Sequence, residues 1–483
     1  MTANRIPNLS KSRYTSFLLC PRLGYLRCYP RRFSNYKTPF TPAQEARFAT
    51  GHRVGELARE YWPDGLLIDE GPREMGRAIK KTRIALDSGA DTVFEATLSE
   101  RGLLVRTDIL CRLPSGAYEI TEVKSSASVK GGHIPDIAVQ MYVVEGQGYP
   151  ILRANIMHLD RDYIHSGGVT YDLGRLFTLE DVTDRARTHI TQELPDNLEN
   201  IHMWLAAAEP PPFERKSLCR NCEYYPLFCS EDADEDVVGG PRANTGEARS
   251  TQEGGQASPV EEAEISTELR GSLETWEYPL HFFDFEAWNP ALPVFPGSRP
   301  YEFILFQWSD HRLDADGTVD HAHYLADGNG DPRRGVAESL IERLAEGGSV
   351  IVYHDVFERT RLRDLAALFP DLAPELERAV GRLVDLKKVI SAHVTHPAFR
   401  HGLSLKNVLP VLVPELSYDH LQIANGDAAN LTFERLLSVE DPEEKQQIRS
   451  ELLDYCAMDT RALLEIYTVL RRLSLNRPEQ AGA

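Results

Sequence analysis

Asp108, Glu122 and Lys124 are residues of the types that metal-dependent chemistry needs. In YEITEVKSS, Glu122 and Lys124 lie two residues apart, so on a strand their side chains project from the same face. Asp108 lies in the preceding run VRTDILCR, and a hairpin can bring it alongside. Two carboxylates can hold Mg²⁺ or Mn²⁺, and a neighbouring lysine can activate water or offset the charge of a phosphate. The alternative is an ordinary solvated strand face with alternating charges.

A second set of acids lies in the C-terminal half. HFFDFEAW places Asp284 and Glu286 on one face of a strand that is otherwise aromatic, and buried carboxylates are costly unless they bind something. Tyr455 and Asp459 lie four residues apart in LLDYCAMDTRALLEIY, on one face of a helix. Glu358 lies where VIVYHDVFERTRLRDL changes from strand to helix. A surface strand is the alternative interpretation of the Asp-x-Glu pattern.

A compact group of three cysteines suggests a metal centre. Cys219, Cys222 and Cys229 lie within the eleven residues CRNCEYYPLFC, and clustered thiols in a cytosolic chain are typical of metal ligands rather than disulfides. A fourth thiolate must come from elsewhere in the chain. Four thiolates suit a zinc ion or a 4Fe-4S cluster, and the spacing does not choose between them. Cys111 and Cys456 lie in apolar runs and are expected to be core residues.

The elements that must position these residues alternate between strand and helix. Thr41 and Pro42 predict the start of a helix through AQEARFATGHRVGELAREYW. GPREMGRAIKKTRIALDSG and DIAVQMYVVEGQG predict further helices, and TVFEATL, GLLVRTDILCRL and AYEITEVKSS predict a meander of strands. A helical stretch is expected over residues 179–208. Strands and helices alternate in the second half as well, so both halves are predicted to be mixed α/β.

Length and composition indicate two soluble domains. The chain has 483 residues, and its segment 231–270 is acidic and almost free of large apolar side chains. Such a segment cannot offset its own ordering entropy, so we expect a flexible linker between domains of residues 1–230 and 271–475. No apolar run approaches the roughly 18 residues of a membrane span. The N-terminus MTANRIPNLSKSRYTS lacks the apolar core of a signal peptide, and we expect a cytoplasmic location without a membrane partner.

The charge is uneven along the chain. A net charge of -20 is unfavourable for binding phosphates, but the first 44 residues contain no Asp or Glu. This segment predicts a surface that follows a nucleic-acid backbone with stacking rings, and the alternative is an ordinary basic helix. Its basic residues are Arg5, Lys11, Arg13, Arg22, Arg27, Arg31, Arg32 and Lys37, and its rings are Tyr14, Phe17, Tyr25, Tyr29, Phe33 and Tyr36.

The order of motifs in residues 8–230 resembles that of RecB-family nucleases of the PD-(D/E)xK superfamily. SKSRYTSFLLCPRLGYL, GHRVGEL, an Asp followed by EVK, DIAVQMY and a cysteine cluster follow one another. The likeness is greatest to the iron-sulfur branch that includes CRISPR-associated nucleases. It implies a restriction-endonuclease-like fold in which Asp108 and Glu122 bind the metal ion, and Lys124 is the catalytic lysine. Gln140 matches a glutamine that contacts DNA or the site.

The same resemblance supplies a fourth thiolate. One cysteine near the N-terminus and three after the nuclease core form the RecB-type iron-sulfur arrangement, which implies Cys20 as the ligand and favours a 4Fe-4S cluster over zinc. Cys28 is the rival to Cys20. Two positions depart from the family pattern, because Val144 replaces a frequent tyrosine and His52 matches the early histidine only loosely.

The acids of the second half resemble the motifs of DnaQ-like exonucleases of the DEDD group, which have an RNase H-like fold. The resemblance implies that Tyr455 helps to position the attacking water. In the middle motif the family has Asn and then Asp, whereas this chain has His354 and Glu358, and Asp355 is the alternative ligand. The four carboxylates implied as ligands of two divalent ions are Asp284, Glu286, Glu358 and Asp459.

The wider second half, with PGSRPYEFILFQWSDH, GLSLKNVLP and YCAMDTRALLEI, is similar to a bacterial family of unknown function found fused to RecB-like domains. Together these resemblances predict a nuclease with two sites, dependent on Mg²⁺ or Mn²⁺, that acts on DNA with single-stranded ends. One alternative is a nucleic-acid-binding scaffold in which one or both sites are inactive. Another is a zinc-stapled RNA-processing nuclease.

Overall fold

The computed structural model describes residues 8–230 and 259–475. The chain divides into two compact units, one of residues 1–246 with 291–301 and the other of residues 247–290 with 302–483. Most of the expected linker, residues 231–258, lies outside the described residues. Its last part forms the strand Glu264–Ile265 and the start of the helix Leu269–Glu274, and Ile265 and Leu269 are buried.

A seven-stranded mixed sheet forms the first unit. Strands β3 (Thr92–Glu100), β4 (Leu103–Arg112) and β5 (Tyr118–Lys124) form the predicted antiparallel meander, which is thereby confirmed. Arg101 and Gly102, which connect β3 to β4, both have positive φ angles (48° and 83°), as a tight two-residue hairpin turn requires. β5 and β6 are parallel, and helix His133–Gly146 provides the crossover between them. The strands are β1 (Leu9–Ser10), β2 (Leu66–Leu67), β3 (Thr92–Glu100), β4 (Leu103–Arg112), β5 (Tyr118–Lys124), β6 (Ile151–Leu159) and β7 (Phe177–Asp181).

Capping and proline placement explain where several helices of the first unit begin. Thr41 accepts a hydrogen bond from Gln44 N and Pro42 is the first helical residue, which confirms the predicted start. The stretch over residues 179–208, expected to be helical, instead begins in β7 and then forms two helices. The helices are Lys11–Leu19, Pro21–Cys28, Pro30–Phe33, Pro42–Arg59, Met75–Asp87, His133–Gly146, Leu173–Leu176, Thr183–Gln192 and Leu194–Ala206.

The second unit has helices on both faces of a five-stranded sheet. The strand order is β11-β10-β9-β12-β13, with antiparallel pairs up to β9 and parallel pairs after it. Side chains alternate along β9, so that Phe282 packs into one apolar cluster and Phe283 and Phe285 into another. The strands are β9 (Leu280–Trp288), β10 (Ile304–Leu313), β11 (Val319–Leu325), β12 (Val350–Val352) and β13 (Leu383–Asp385); β8 (Glu264–Ile265) pairs separately with β14 (Val394–Thr395).

The helices of the second unit confirm the predicted alternation, and the longest one carries part of the candidate site. Helix Pro442–Leu475 buries one face against β9 and β10. Both units are therefore mixed α/β. Across the described residues, no helix is long and apolar enough to cross a bilayer. The helices are Leu269–Glu274, Arg333–Arg343, Asp355–Leu368, Ala373–Gly381, Leu386–His393, Leu405–Leu412, Gly426–Ser438 and Pro442–Leu475.

Candidate functional site

In the first unit, Asp108 and Glu122 meet where two strands stop pairing. The hydrogen-bonded pairing of β4 with β5 runs from Arg112 and Tyr118 to Ile109 and Thr121, and it stops before Asp108 and Glu122. There Oδ2 of Asp108 accepts the amide of Val123 at 2.7 Å in place of a backbone carbonyl. The strand register thus places the two acids side by side, as the sequence predicted.

Both oxygens of Glu122 are occupied by charged or amide donors. Its Oε1 accepts from Lys11 Nζ at 2.8 Å and from Lys124 Nζ at 2.7 Å, and its Oε2 accepts from Gln140 Nε2 at 2.7 Å. Glu122 is 2% exposed. Burial alone would raise the pKa of this carboxyl, but the two lysines outweigh burial and hold the pKa well below its ordinary value.

Asp108 has the opposite electrostatic character. Burial first, and then the charge of Glu122, raise the pKa of Asp108 to about 7. The carboxylates of half-buried Asp108 and buried Glu122 repel each other when both are ionised, and a divalent cation bound by both would remove that repulsion. The oxygen donors fit a hard ion such as Mg²⁺ or Mn²⁺.

Sequence reasoning missed two members of this group. Asp136 forms a close ion pair with Lys124, and its carbonyl accepts from Gln140 Nε2 at 3.1 Å. Its position four residues before Gln140 on one helix is a signal that could have been used. Lys11 was grouped with the surface cations, and nothing local in the sequence pairs it with Glu122. The loosely matched His52 is exposed on helix Pro42–Arg59.

In the second unit, Asp284 and Glu286 lie on the face of β9 that meets helix Pro442–Leu475. A carboxylate oxygen of Asp284, a carboxylate oxygen of Glu286 and the Sγ atom of Cys456 all lie within 4.8 Å of one another. Burial, followed by the charge of Asp459, raises the pKa of Asp284 and of Glu286 well above ordinary values. Cys456 is fully buried, as expected for a core residue. Its contact with the acids was not predicted.

Asp459 and Tyr455 join this cluster from the helix. Tyr418 donates a short hydrogen bond to Asp459 Oδ1, and Tyr455 also hydrogen-bonds to Asp459. Burial raises the pKa of Asp459 to about 6, although the tyrosine hydrogen bonds and the charge of Lys406 oppose this shift. An open cavity of about 350 Å³ reaches the acids. It is lined by Asp284, Tyr353, Ser404, Leu405, Lys406, Gly426, Tyr455, Asp459 and Leu463.

The two candidates for the middle acid differ in their partners. Glu358 is 5% exposed, its Oε2 has no hydrogen-bond partner within the described part of the chain, and its charge acts on Asp284. Burial raises the pKa of Glu358 to about 8. Asp355 instead binds Arg359 at 2.8 Å and Lys388 at 2.7 Å. Within the described residues, Glu358 therefore keeps one carboxylate oxygen, Oε2, without a hydrogen-bond partner, whereas Asp355 is held by two cations.

The four cysteines expected as ligands lie near one another, although Cys20 and the other three come from opposite ends of the sequence of the first unit. Cys20 lies between helices Lys11–Leu19 and Pro21–Cys28, and its charge acts on Cys229, as does that of Cys222. Among the residues that the structure describes, no three of these thiols lie within 4.8 Å of one another. Cys28 is buried in the apolar core.

The prediction that the rings of the N-terminal segment form an exposed stacking surface is wrong for most of them. Tyr14, Phe17, Tyr25 and Phe33 are buried because the helices that carry them, Lys11–Leu19, Pro21–Cys28 and Pro30–Phe33, pack on the core. Arg5 lies outside the described residues. A basic cavity of about 720 Å³ does lie beside this segment. Its lining includes Ser12, Arg13, Arg27, Lys37, Phe40, Phe48 and Glu223.

Comparisons with known proteins match the chain in part. Residues 281–404 match the family described as "Domain of unknown function (DUF2779)". The chain is 29% identical over 220 residues to an uncharacterized MG366 homolog of Mycoplasma pneumoniae, covering 41% of this chain and 32% of that protein. It is 24% identical over 212 residues to uncharacterized MG366 of Mycoplasma genitalium, covering 40% and 32%. The chain thus spans about a third of these curated relatives.

One solved structure, titled "Crystal structure of SSO0001", aligns with 45% of this chain and 82% of its own. The sequence identity is 13% and the TM-score is 0.21.

Proposed function

We propose that the chain is a metal-dependent nuclease that hydrolyses phosphodiester bonds in DNA, with one site in each unit. The observation that carries this proposal is the convergence of three acids in the second unit, of which one is buried and two are half-buried. Asp284 and Asp459 line the cavity, and Glu286 lies beside Asp284. Burial raises the pKa values of all three acids, and the charge of Asp459 adds to this effect at Asp284 and Glu286. Such a cluster is costly in a folded protein unless cations occupy it.

In the second unit, these acids and Glu358 would hold Mg²⁺ or Mn²⁺, which would activate water and stabilise the leaving oxygen. Tyr455 stays protonated, since burial and the charges of Asp459 and Glu286 raise its pKa. Its hydroxyl donates to Asp459, which Tyr418 also holds, and its oxygen can accept a hydrogen bond from the attacking water. The mixed sheet with helices on both faces agrees with the RNase H-like fold that the resemblance implies.

In the first unit, Asp108 and Glu122 would hold the metal ion and Lys124 would contact the scissile phosphate. Gln140 orients the Glu122 carboxylate by donating a 2.7 Å hydrogen bond from Nε2 to Oε2. The mixed sheet that carries the acids on neighbouring strands agrees with a restriction-endonuclease-like fold. The nearby cavity with Arg13, Lys37 and the Phe40 ring provides cations and an aromatic face for a single-stranded end.

Cys20, Cys219, Cys222 and Cys229 would hold a 4Fe-4S cluster that ties the two ends of the first unit together. In a tetrahedral zinc site with Zn–S bonds of about 2.3 Å, the sulfurs are roughly 3.8 Å apart. Among the described residues, no three of these thiols lie within 4.8 Å of one another, which favours the larger cluster. Zinc stays the alternative.

A nucleic-acid-binding scaffold is the second candidate for the second unit. It is favoured by Glu358, whose side chain is one methylene longer than the Asp of the family motif and stays protonated at neutral pH when no metal is bound. An inactive site would keep the pocket but not the cleavage.

The test is cleavage of end-labelled single- and double-stranded DNA and RNA by the full chain with Mg²⁺ or Mn²⁺. We expect DNA cleavage that is lost with EDTA and in the double variant Glu122→Ala/Asp284→Asn. Cleavage of RNA alone would favour the RNA-processing alternative. Binding without cleavage would favour the scaffold, and neither binding nor cleavage would contradict both.

A further inference from the structure

Lys11 makes the same ion pairs as Lys124. Its Nζ atom lies 2.8 Å from Oε1 of Glu122 and 3.6 Å from Oδ1 of Asp136. Lys124 Nζ also contacts both carboxylates. The ammonium groups of Lys11 and Lys124 therefore share one pair of acids. Along the chain, Lys11 is 111 residues from Glu122 and Lys124 is 2 residues from it.

The backbone holds Lys11 at this position. Leu9, two residues before Lys11, lies on β1 and pairs with Leu103 on β4. Ser10 caps the helix that Lys11 begins, and Tyr14 on its next turn is fully buried with its hydroxyl 2.8 Å from His189 Nε2. The Lys11 side chain is 20% exposed. Its ammonium is thus anchored at the carboxylates while still reaching solvent.

We propose that Lys11 is the second phosphate-attracting lysine of the first site, and that its charge makes metal binding and phosphodiester binding sequential. This inference rests on the proposed function of that site. Lys11 opposes the divalent cation, since both are positive and share Glu122. It attracts a phosphodiester, which is negative.

The formal charges give the sign of each effect. When Asp108, Glu122 and Asp136 are all ionised, they contribute three negative charges, and Lys11 and Lys124 contribute two positive ones, so the group carries -1. A divalent ion changes this to +1, which attracts a phosphodiester anion. Without Lys11 the same group would carry -2 before the ion binds and 0 afterwards. Loss of Lys11 therefore favours the ion and disfavours the phosphodiester.

These opposite signs distinguish a phosphate-attracting role from a merely structural one. The test uses the full chain with the second site disabled by Asp284→Asn and Asp459→Asn. Mn²⁺ binding is followed by electron paramagnetic resonance of the free ion. Binding of fluorescein-labelled single-stranded oligothymidylate, with Ca²⁺ replacing Mn²⁺, is followed by fluorescence anisotropy.

We expect Lys11→Gln to bind Mn²⁺ about tenfold more tightly and the oligonucleotide about tenfold more weakly. The salt dependence of oligonucleotide affinity should fall by about 0.7 in its log-log slope, as for the loss of one phosphate contact. Lys11→Arg keeps the charge and should restore both affinities. The control is Lys80→Gln, which removes one positive charge from an exposed position on helix Met75–Asp87 and should change neither affinity.

The outcomes separate this inference from the proposed function. Weaker binding of both Mn²⁺ and oligonucleotide by Lys11→Gln, or no change in either, overturns the role of Lys11 and leaves the nuclease proposal standing. A parent that binds no Mn²⁺ overturns the proposed metal site itself. If Lys11→Gln does not fold, Lys11→Met, which retains the apolar stem, takes its place with the same expected signs.

Discussion

Nε2 of Gln140 lies 2.7 Å from Oε2 of Glu122, and the Gln140 side chain is fully buried. The same amide nitrogen lies 3.1 Å from the carbonyl oxygen of Asp136, one turn earlier on helix His133–Gly146. This second contact fixes the direction of the amide. Gln140 thereby orients the carboxylate that also binds Lys11 and Lys124.

Gln140→Met should lower cleavage at the first site by about 10- to 100-fold, as expected when an outer partner of a metal ligand is lost. The substitution keeps the side chain's length and leaves Oε2 of Glu122 without its amide donor. Initial rates on single-stranded DNA at saturating Mn²⁺ measure the effect. Gln147→Met is the matched control, because Gln147 bonds to Glu100 instead. Equal rates for the Gln140 and Gln147 variants would contradict this role.

Glu122→Ala should abolish cleavage at the first site and Lys124→Ala should lower it by about 100-fold, in both cases without unfolding the unit. Glu122→Ala removes a metal ligand, whereas Lys124→Ala leaves the ligands and removes phosphate stabilisation worth about 3 kcal/mol. Cleavage in an Asp284→Asn background and circular dichroism measure activity and folding. Glu119→Gln on the same strand, where Glu119 pairs with Arg153, is the control. Parent-like rates in both site variants would show that the assignment is wrong.

Asp284→Asn should eliminate 3′-to-5′ degradation in a Lys124→Ala background, because Asp284 is central to the acid cluster of the second unit. Glu358→Asp then distinguishes an active site from a decayed one. If Glu358 is a ligand, the shorter side chain reaches less far and the rate falls. If the site has decayed, Glu358→Asp gives activity to an inactive parent. A rate unaffected by either substitution would exclude Glu358 from the site.

The metal-free protein should lose stability as the pH rises. The pKa of Glu358 is raised from 4.5 to about 8 in the folded state, so the folded chain keeps a proton that the unfolded chain releases. Its contribution is complete below pH 4.5 and is lost as the pH rises to about 8, on the order of a few kcal/mol.

Urea unfolding of EDTA-treated protein at several pH values between 5 and 8.5 measures this loss. Glu358→Gln cannot ionise and should show a flatter dependence than the parent. Parallel pH profiles for the two proteins would mean that Glu358 is not buried as an uncharged acid.

Cys222→Ser should remove the chromophore and destabilise the first unit. Anaerobically purified parent protein should be brown with broad visible absorbance, as an iron-sulfur centre requires. Cys111→Ser should keep the colour, since Cys111 lies on β4 and contacts Thr92. Iron and zinc analysis accompanies the spectra. A colourless parent with one zinc ion would support the zinc alternative.

Local patterns in the sequence predicted much of the fold. Apolar runs bounded by turn signals, TVFEATL and GLLVRTDILCRL, predicted β3 and β4, and Thr41 with Pro42 predicted the start of a helix. Glu122 and Lys124 were placed on one face because strand geometry alone fixes that relation. These features depend on neighbours a few residues apart, which a sequence displays directly.

Tertiary packing decided the remaining features. Lys11 was expected on a nucleic-acid-binding surface, but it binds Glu122, 111 residues away along the chain. Tyr14 was expected to stack on bases, but helix packing buries it completely. Cys456 was expected only in the core, and it lies against Asp284 and Glu286.

The chain by itself determined which residues share a strand face or a helix face, because backbone geometry sets those relations within a few residues. Only the tertiary structure decided which faces meet. Pairing of β1 with β4 brings Lys11 to the first site, and packing of helix Pro442–Leu475 on β9 brings Cys456 and Asp459 to the second. Those contacts join residues far apart in the sequence, 94 positions for Leu9 and Leu103, where burial of apolar surface rather than local periodicity selects the partner.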